Sequence, residues 1–181
     1  MNNISSICVF CGAHDNLADK YIKLSEKCGE MIASKGIRLI YGGGDSGLMG
    51  VICHSAHRHG AMVTGVYPKF LHDREPISKD LDEIYIVDTM YERKKIMVSK
   101  ADAFLILPGG IGTLDEVFEV ITLKNLGVID KPIIFINLDG YWDGFDALMK
   151  NIVDNNFASK SVYDNYYMVT SLAEAFEKLG I

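Results

Sequence analysis

Short apolar runs alternate with amphipathic segments along the chain, and this alternation predicts strands and helices in turn. The apolar runs are not interrupted by polar residues, as in 103–107, which is typical of strands buried on both faces of a sheet. Strands are predicted over 4–10, 37–41, 61–66, 84–87, 103–107, 132–137 and 168–170. Asn16 is expected to cap a first helix that runs through about Ser34. Further helices are predicted over 48–59, 90–100, 113–126 and 142–155, and Ser171 is expected to cap a final helix.

This order of elements predicts an α/β fold built on a parallel sheet with helices on both faces. At 181 residues the chain is short for a closed βα barrel, which takes about 250 residues. A doubly wound open sheet is therefore predicted, and 1–181 is expected to form a single domain. Ligands of such sheets bind beyond the carboxyl ends of the strands, which is where two glycine-rich segments of the chain lie.

Composition narrows the classes of partner. The formal net charge is −6 and no basic run occurs, so a nucleic-acid polymer is not an expected partner. No segment approaches the ~18 apolar residues that a membrane span needs, and the N-terminus lacks the features of a signal peptide. No membrane partner is therefore expected, and the cytoplasm is the expected location. In that location the four cysteines are expected to be thiols. The Cys8–Cys11 pair has the spacing of a metal-binding motif, but no second close pair follows to complete a zinc site.

The most informative segment is 108–116, Pro-Gly-Gly-Ile-Gly-Thr-Leu-Asp-Glu. It joins a predicted strand to a predicted helix, and its glycines leave backbone N–H groups uncovered at the positive end of the helix dipole. Such a loop favours a phosphate. It also carries Thr113, Asp115 and Glu116, and a simple phosphate cradle has no need of two carboxylates. The Thr113-x-x-Glu116 spacing equally matches a capping box, so a catalytic and a structural interpretation of Glu116 both stay open.

A second glycine segment, 42–50, has the Gly42-x-Gly44-x-x-Gly47 spacing of dinucleotide-binding proteins. The acidic residue that should end the next strand and hold a ribose is missing. No Gly-Lys-Ser/Thr follows either, so the segment is not a P-loop. Contacts to a phosphate or sugar are predicted, and the alternative is that the glycines serve only tight packing between strand and helix.

Consecutive cations at Arg93, Lys94 and Lys95 lie near the start of a predicted helix, where they oppose the dipole. We therefore expect Arg93 to be paired with a fixed anion of the protein or the ligand, since its fork makes bidentate contacts; a solvated surface is the alternative, above all for Lys95. His54 and His57 share one helix face, but the ligand set is incomplete, so no metal is expected.

Taken together, these segments resemble the LONELY GUY (LOG) family of cytokinin riboside 5′-monophosphate phosphoribohydrolases, often labelled putative lysine decarboxylases. The resemblance rests on PGGIGTLDE at 108–116, GGGDSGLMG at 42–50 and Met-Tyr-Glu-Arg-Lys at 90–94. The Arg74-Glu75 pair and the Asp139-Gly140-Tyr141 turn also fit, and the similarity spans nearly the whole chain.

The resemblance implies a Rossmann-like fold, a homodimer, and hydrolysis of a nucleoside 5′-monophosphate to free base and ribose 5-phosphate. By motif position, Arg93 and Glu116 are the expected catalytic pair. The expected substrate-binding residues are Gly43, Gly44, Glu75, Lys94, Gly109, Gly110, Gly112, Thr113, Asp115 and Thr122. Two positions depart from the family: Asp115 stands where plant members usually have Glu, and His14 where many members have Ser.

Cleavage of an N-glycosidic bond develops positive charge on the sugar, which a carboxylate can stabilise while it activates water. Glu116, placed in the first turn of a helix, is expected to stay ionised because the dipole favours its charged form. Arg93 cannot readily donate a proton, so it is expected to bind the substrate. The source of the proton for the leaving base stays open.

Two other functions remain as alternatives at this point: a general purine nucleoside monophosphate (AMP) nucleosidase, and a nucleotide- or cofactor-binding protein without catalysis. The presence of both Arg93 and Glu116 argues against the second. A decarboxylase would need pyridoxal phosphate on a lysine, and no lysine has a motif context for it. No cofactor is therefore expected.

Overall fold

The computed structural model describes residues 4–73 and 75–181, so Arg74 of the Arg74-Glu75 pair lies outside the described residues. Strands and helices follow one another in the predicted alternation. The strands are β1 Ser6–Phe10, β2 Arg38–Tyr41, β3 Val63–Pro68, β4 Glu83–Val87, β5 Ala103–Ile106, β6 Ile133–Ile136 and β7 Tyr167–Val169. The helices are α1 Asp19–Ser34, α2 Gly47–Arg58, α3 Met90–Lys100, α4 Ile111–Asn125, α5 Asp143–Asp154 and α6 Leu172–Leu179.

The strands form one parallel sheet in the order β4-β3-β2-β1-β5-β6-β7. From β1 the chain winds outward through β2 and β3 to β4, then returns past β1 and winds the other way from β5 to β7. The predicted doubly wound open sheet is confirmed. The winding reverses between β1 and β5, and a crevice at such a reversal is where sheets of this kind bind ligands.

Two apolar cores fill the space on either side of the sheet. Side chains of α1, α2 and α6, such as Ile32, Ile52 and Phe176, pack on one face. Side chains of α3, α4 and α5, such as Met97 and Val117, pack on the other. Successive residues of the strands serve opposite cores, so the central strands are apolar throughout because neither face is left to solvent.

Helix α3 begins with a capping box that local sequence accounts for. The hydroxyl of Thr89 accepts from the N–H of Glu92 at 3.1 Å, and the Glu92 carboxylate accepts from the N–H of Thr89 at 3.3 Å. These bonds satisfy two of the N–H groups that a helix start leaves unpaired. The following residue, Arg93, is thereby held at the end of the first turn and points inward.

Helix α1 begins two residues later than the sequence predicts. Asn16 was the expected cap, but its φ is +59°, a left-handed conformation that asparagine tolerates and a helix cap does not use. The helix starts instead at Asp19, after Ala18, which makes no side-chain capping bond. Among the described residues, no helix is both long and apolar enough to cross a membrane.

Candidate active site

A cleft of about 390 Å³ lies beyond the carboxyl ends of β1 and β5, at the point where the winding of the sheet reverses. Residues just after β1 form its floor, the start of α4 forms one wall, and the connection after β3 closes the other. Six of the residues expected from sequence line it: Glu75, Arg93, Gly110, Gly112, Thr113 and Glu116.

The start of α4 corrects one structural expectation. The helix begins at Ile111 with Gly110 as its N-cap, and no side chain caps it. Thr113 therefore lies inside the first turn, buried and packed against Gly109. The capping box that the Thr113-x-x-Glu116 spacing would allow does not form. The first N–H groups of α4 have no acceptor within the helix, and Gly110 and Gly112 are exposed in the cleft wall. The arrangement suits an anionic ligand.

Arg93 is the best-fixed side chain of the cleft. Its Nε donates to the carbonyl of Val66 and its Nη2 to the carbonyl of Gly42, both at 3.1 Å. Its Nη1 lies 3.8 Å from Oε1 of Glu116. Arg93 and Glu116 are 7% and 8% exposed, so the expected pairing of Arg93 with a fixed anion is confirmed. The guanidinium joins the ends of β2 and β3 to α4 across the cleft.

Gly42 has no room for a side chain because Arg93 occupies its place. A Cβ at position 42 would lie 1.8 Å from Nη2 of Arg93. We expect Gly42→Ala to displace the guanidinium and lower kcat at least about 100-fold, since a shift of about 1 Å at a reacting centre costs that much. Steady-state kinetics with a nucleoside 5′-monophosphate measure the loss.

The matched control is Gly144→Ala in α5, where no heavy atom lies within 4 Å of the added Cβ. That variant should keep normal turnover. A folded Gly42→Ala protein with wild-type kinetics would show that the position of Arg93 does not matter to the reaction.

The ionisation of Glu116 differs from the sequence-based expectation. Burial raises the pKa of its carboxyl to about 7, against the lowering effect of Arg93, and Asp115 adds to the rise. Helix α4 starts earlier than predicted, which places Glu116 in the second turn, and the dipole acts within the first. Desolvation therefore outweighs the dipole, and Glu116 can gain or lose a proton near neutral pH.

The glycine segment at 42–50 is covered by the connection that follows β3. The N–H of Ser78 donates to the carbonyl of Gly43 at 3.1 Å, and Gly44 forms an isolated bridge with Ile77. Above them, Glu75 packs over Gly44 so closely that a Cβ there would lie 2.0 Å from Oε1 of Glu75. Gly43 and Gly44 thus support Glu75 from behind, and it is Glu75 that lines the cleft.

Lys94, Asp115 and Thr122, which were also expected to bind substrate, lie away from the cleft on the outer side of α3 and α4. Nζ of Lys94 is 2.9 Å from Oδ1 of Asp115 and 2.6 Å from Oε2 of Glu119. Thr122 is exposed further along α4 and borders the same shallow depression on the outer side of α3 and α4. Within one chain, the structure does not bring Lys94, Asp115 and Thr122 together with Arg93 and Glu116.

The histidines of α2 contact carboxylates. Nδ1 of His54 lies 2.7 Å from Oδ2 of Asp80, and its Nε2 lies 3.0 Å from Oδ1 of Asp45. His57 is 3.8 Å from Asp82. Among residues 4–73 and 75–181, no group of three side chains is placed to hold a metal ion. His54 instead ties α2 to both the 42–50 glycine segment and the connection that carries Glu75.

Sequence reasoning missed the contribution of Met49 and Tyr141. Met49 lines the cleft from the start of α2, and the hydroxyl of Tyr141 donates to the carbonyl of Gly109 at 2.7 Å. The available signal for Tyr141 was the Asp139-Gly140 turn, which turns the chain back toward the 108–113 loop. No local pattern marks Met49, because an apolar residue in a helix most often serves the core.

Comparison with known proteins places the chain among relatives of one kind. A family model described as "Possible lysine decarboxylase" matches residues 49–179. The cytokinin riboside 5′-monophosphate phosphoribohydrolase of Mycobacterium tuberculosis is 37% identical over 170 residues, which cover 94% of this chain and 90% of that protein. The similarly named LOG3 of Arabidopsis thaliana is 37% identical over 173 residues, covering 96% and 80%.

Solved structures share the architecture at lower identity. The molybdenum cofactor binding protein of Rippkaea orientalis superimposes with a TM-score of 0.73 at 21% identity, over 98% of this chain and 96% of the other. The molybdenum cofactor carrier protein of Chlamydomonas reinhardtii gives 0.74 at 18%, over 98% and 97%. At these identities the likeness shows the fold alone.

Proposed function

Because the chain belongs to the LONELY GUY (LOG) family of cytokinin riboside 5′-monophosphate phosphoribohydrolases, we propose that it hydrolyses the N-glycosidic bond of N6-modified adenosine 5′-monophosphate. The products are the free base, a cytokinin, and ribose 5-phosphate. One observation carries the proposal: the buried Arg93–Glu116 pair lines the same cleft as the start of α4, whose first N–H groups no side chain caps. The arrangement joins an anion site to a carboxylate, which this reaction requires.

The geometry assigns a task to each part of the cleft. The 5′-phosphate binds the exposed N–H groups at the start of α4, which places the ribose over Glu116 and Arg93. As the bond from C1′ to the base breaks, positive charge grows on the sugar ring and the Glu116 carboxylate stabilises it. Glu116 then takes a proton from the water that attacks C1′. Arg93 orients the substrate and holds Glu116 in place.

The name of the matching family model does not describe this chemistry. None of the described residues that line the cleft is a lysine, and Lys94 is held outside it by Asp115 and Glu119. A decarboxylase that forms a Schiff base needs a free lysine amine at the reacting centre. The cleft therefore fits hydrolysis and does not fit that reaction.

The direct test is a chromatographic screen of nucleoside 5′-monophosphates, with and without an N6-isopentenyl group. Release of both free base and ribose 5-phosphate supports the proposal. Equal rates on AMP and its isopentenyl derivative would favour a general purine monophosphate nucleosidase, since the phosphate and ribose contacts are common to both. Binding of nucleotides without any release of base would exclude an enzyme of this class.

The rate should depend on pH through Glu116. Because the carboxylate is the form that accepts a proton, and its pKa is about 7, we expect kcat/KM to fall as the pH drops below 7 and Glu116 takes up a proton. Initial rates between pH 5 and pH 8 measure this, with circular dichroism at each pH as the control for folding. A flat profile over that range would contradict the assignment of Glu116 as the base.

A homodimer accounts for the residues outside the cleft. The depression that holds Lys94, Asp115 and Thr122 lies on the surface of α3 and α4, so a second copy of the chain that covers it can use those residues. Light scattering after size exclusion should give twice the mass of one chain. Thr122→Arg should shift that mass toward the monomer, whereas Thr170→Arg, at another exposed threonine, should not. A monomeric wild-type protein would refute the dimer.

A further inference from the structure

The cleft contains a second carboxyl group to which the reaction as described gives no task. Oε1 of Glu75 is buried and has no hydrogen-bond partner among residues 4–73 and 75–181. A buried polar atom without a partner is costly, so such a group usually has a function or meets a ligand. The hydrolysis also lacks a donor for the proton that the leaving base needs, since Arg93 holds its protons too tightly.

The two carboxyl groups of the cleft differ in their surroundings. Glu116 has the Arg93 guanidinium 3.8 Å away, which favours its ionised form. In the described part of the chain, Glu75 makes no ion pair and no side-chain hydrogen bond. Burial raises the pKa of Glu75, against the lowering effect of Arg93. Glu116 acts on the attacking water, so Glu75 is the carboxyl group of the cleft that remains to donate a proton.

The sheet places Glu75 at the end of the cleft away from the phosphate. Glu75 packs over Gly44, just beyond β2, whereas the phosphate loop follows β5. Strand β1 lies between β2 and β5. The ends of β2 and β5 are therefore about 10 Å apart, which is two strand spacings. Arg93 is held at the ends of β2 and β3, on the same side of the cleft as Glu75, and Glu116 of α4 lies 3.8 Å from it. A nucleotide whose phosphate is at α4 and whose ribose is at Glu116 extends its base toward Glu75.

The backbone of Glu75 is firmly held. Its N–H donates to the carbonyl of Leu71 at 2.9 Å, and its carbonyl accepts from the hydroxyl of Tyr67 at 2.5 Å. The next residue, Pro76, accepts from the N–H of Asp45 at 2.9 Å. A proton donor must stay within hydrogen-bond reach of the atom that it protonates, and these contacts keep Glu75 against the cleft.

We propose that Glu75 is the general acid of the hydrolysis and donates its carboxyl proton to the leaving base. As the bond between C1′ and the base nitrogen breaks, its electron pair moves to the base, which receives the proton of Glu75. Water adds its oxygen to C1′ and gives one proton to Glu116. Solvent then returns a proton to Glu75 and removes one from Glu116, so the enzyme is unchanged. This assignment rests on the proposed function.

The test compares Glu75→Gln on two substrates, AMP and 7-methyladenosine 5′-monophosphate. The methylated base is already cationic and leaves as a neutral molecule, so it needs no proton from the enzyme. Glu75→Gln should lower kcat on AMP about 100- to 1,000-fold, the usual contribution of a general acid, and should lower it less than about tenfold on the methylated substrate. Glu116→Gln should remain impaired on both.

Two further variants keep the result interpretable. Glu75→Asp retains a carboxyl group, so its kcat on AMP should be at least about tenfold higher than that of Glu75→Gln. Glu177→Gln, at an exposed position on α6, should match wild type. Equal losses of Glu75→Gln on both substrates, or none on AMP, would overturn the proposal while the wild-type rates still support the proposed function. Absence of cleavage by the wild type would overturn both.

Discussion

Glu116→Gln should abolish turnover while leaving substrate binding nearly intact. The amide has the shape of the carboxyl group, but it can neither stabilise the developing charge on the sugar nor take a proton from water. Loss of electrostatic stabilisation and of a general base together should lower kcat at least about 1,000-fold. The measurement is release of free base from AMP under saturating conditions, together with the Kd of AMP by calorimetry, which should stay within about threefold of wild type.

The matched control is Glu26→Gln, which removes a carboxylate from an exposed ion pair with Arg58 between α1 and α2. It should turn over normally. A purified, folded Glu116→Gln protein that kept more than about a tenth of wild-type turnover would show that the reacting sugar does not depend on this side chain.

Removal of the 5′-phosphate should have an effect of similar size. The start of α4 offers several N–H groups to the phosphate, and hydrogen bonds to a charged group contribute about 1.5–3 kcal/mol each. Two or three of them correspond to a fall of about 150-fold or more in kcat/KM for adenosine relative to AMP. Binding energy from a group remote from the reaction also positions the reacting bond, so kcat should fall along with affinity.

Inhibition by the sugar product separates this contribution from that of the base. Ribose 5-phosphate should compete with AMP, and ribose at the same concentration should not. Similar rates on adenosine and AMP would mean that the exposed end of α4 does not hold the phosphate.

Local signals account for much of what the sequence predicted correctly. Helix α3 has the predicted bounds because Thr89 and Glu92 form a capping box whose partners are neighbours in sequence. The uninterrupted apolar runs form the central strands, because both faces of these strands are buried and neither face can expose polar side chains to solvent. Expectations failed where one backbone conformation decided the outcome. Asn16 adopts a positive φ, and Gly110 replaces Thr113 as the start of α4.

The site required information that no local pattern contains. The 108–113 loop was identifiable because its glycines, its strand and its helix are contiguous. The burial of Glu116 depends on how α3 packs beside α4, and that burial reversed the expected ionisation. The position of Glu75 depends on the path of the long connection after β3, which has no periodicity and pairs with Gly43 and Gly44 only through tertiary contacts.

The raised pKa of Glu116 has a consequence for the free energy of unfolding. In the fold the pKa is about 7, whereas an unfolded glutamate has a pKa near 4.3. The native state therefore binds more protons between these values, so the stability that this group contributes is present below about pH 4 and is lost as the pH rises through 7. The full difference is roughly 4 kcal/mol. Ionisation of Glu116 as the pH rises through 7 thus provides the base for the reaction and at the same time lowers the free energy of unfolding of the unliganded protein. Bound nucleotide, which recognises only the folded chain, offsets that loss of stability.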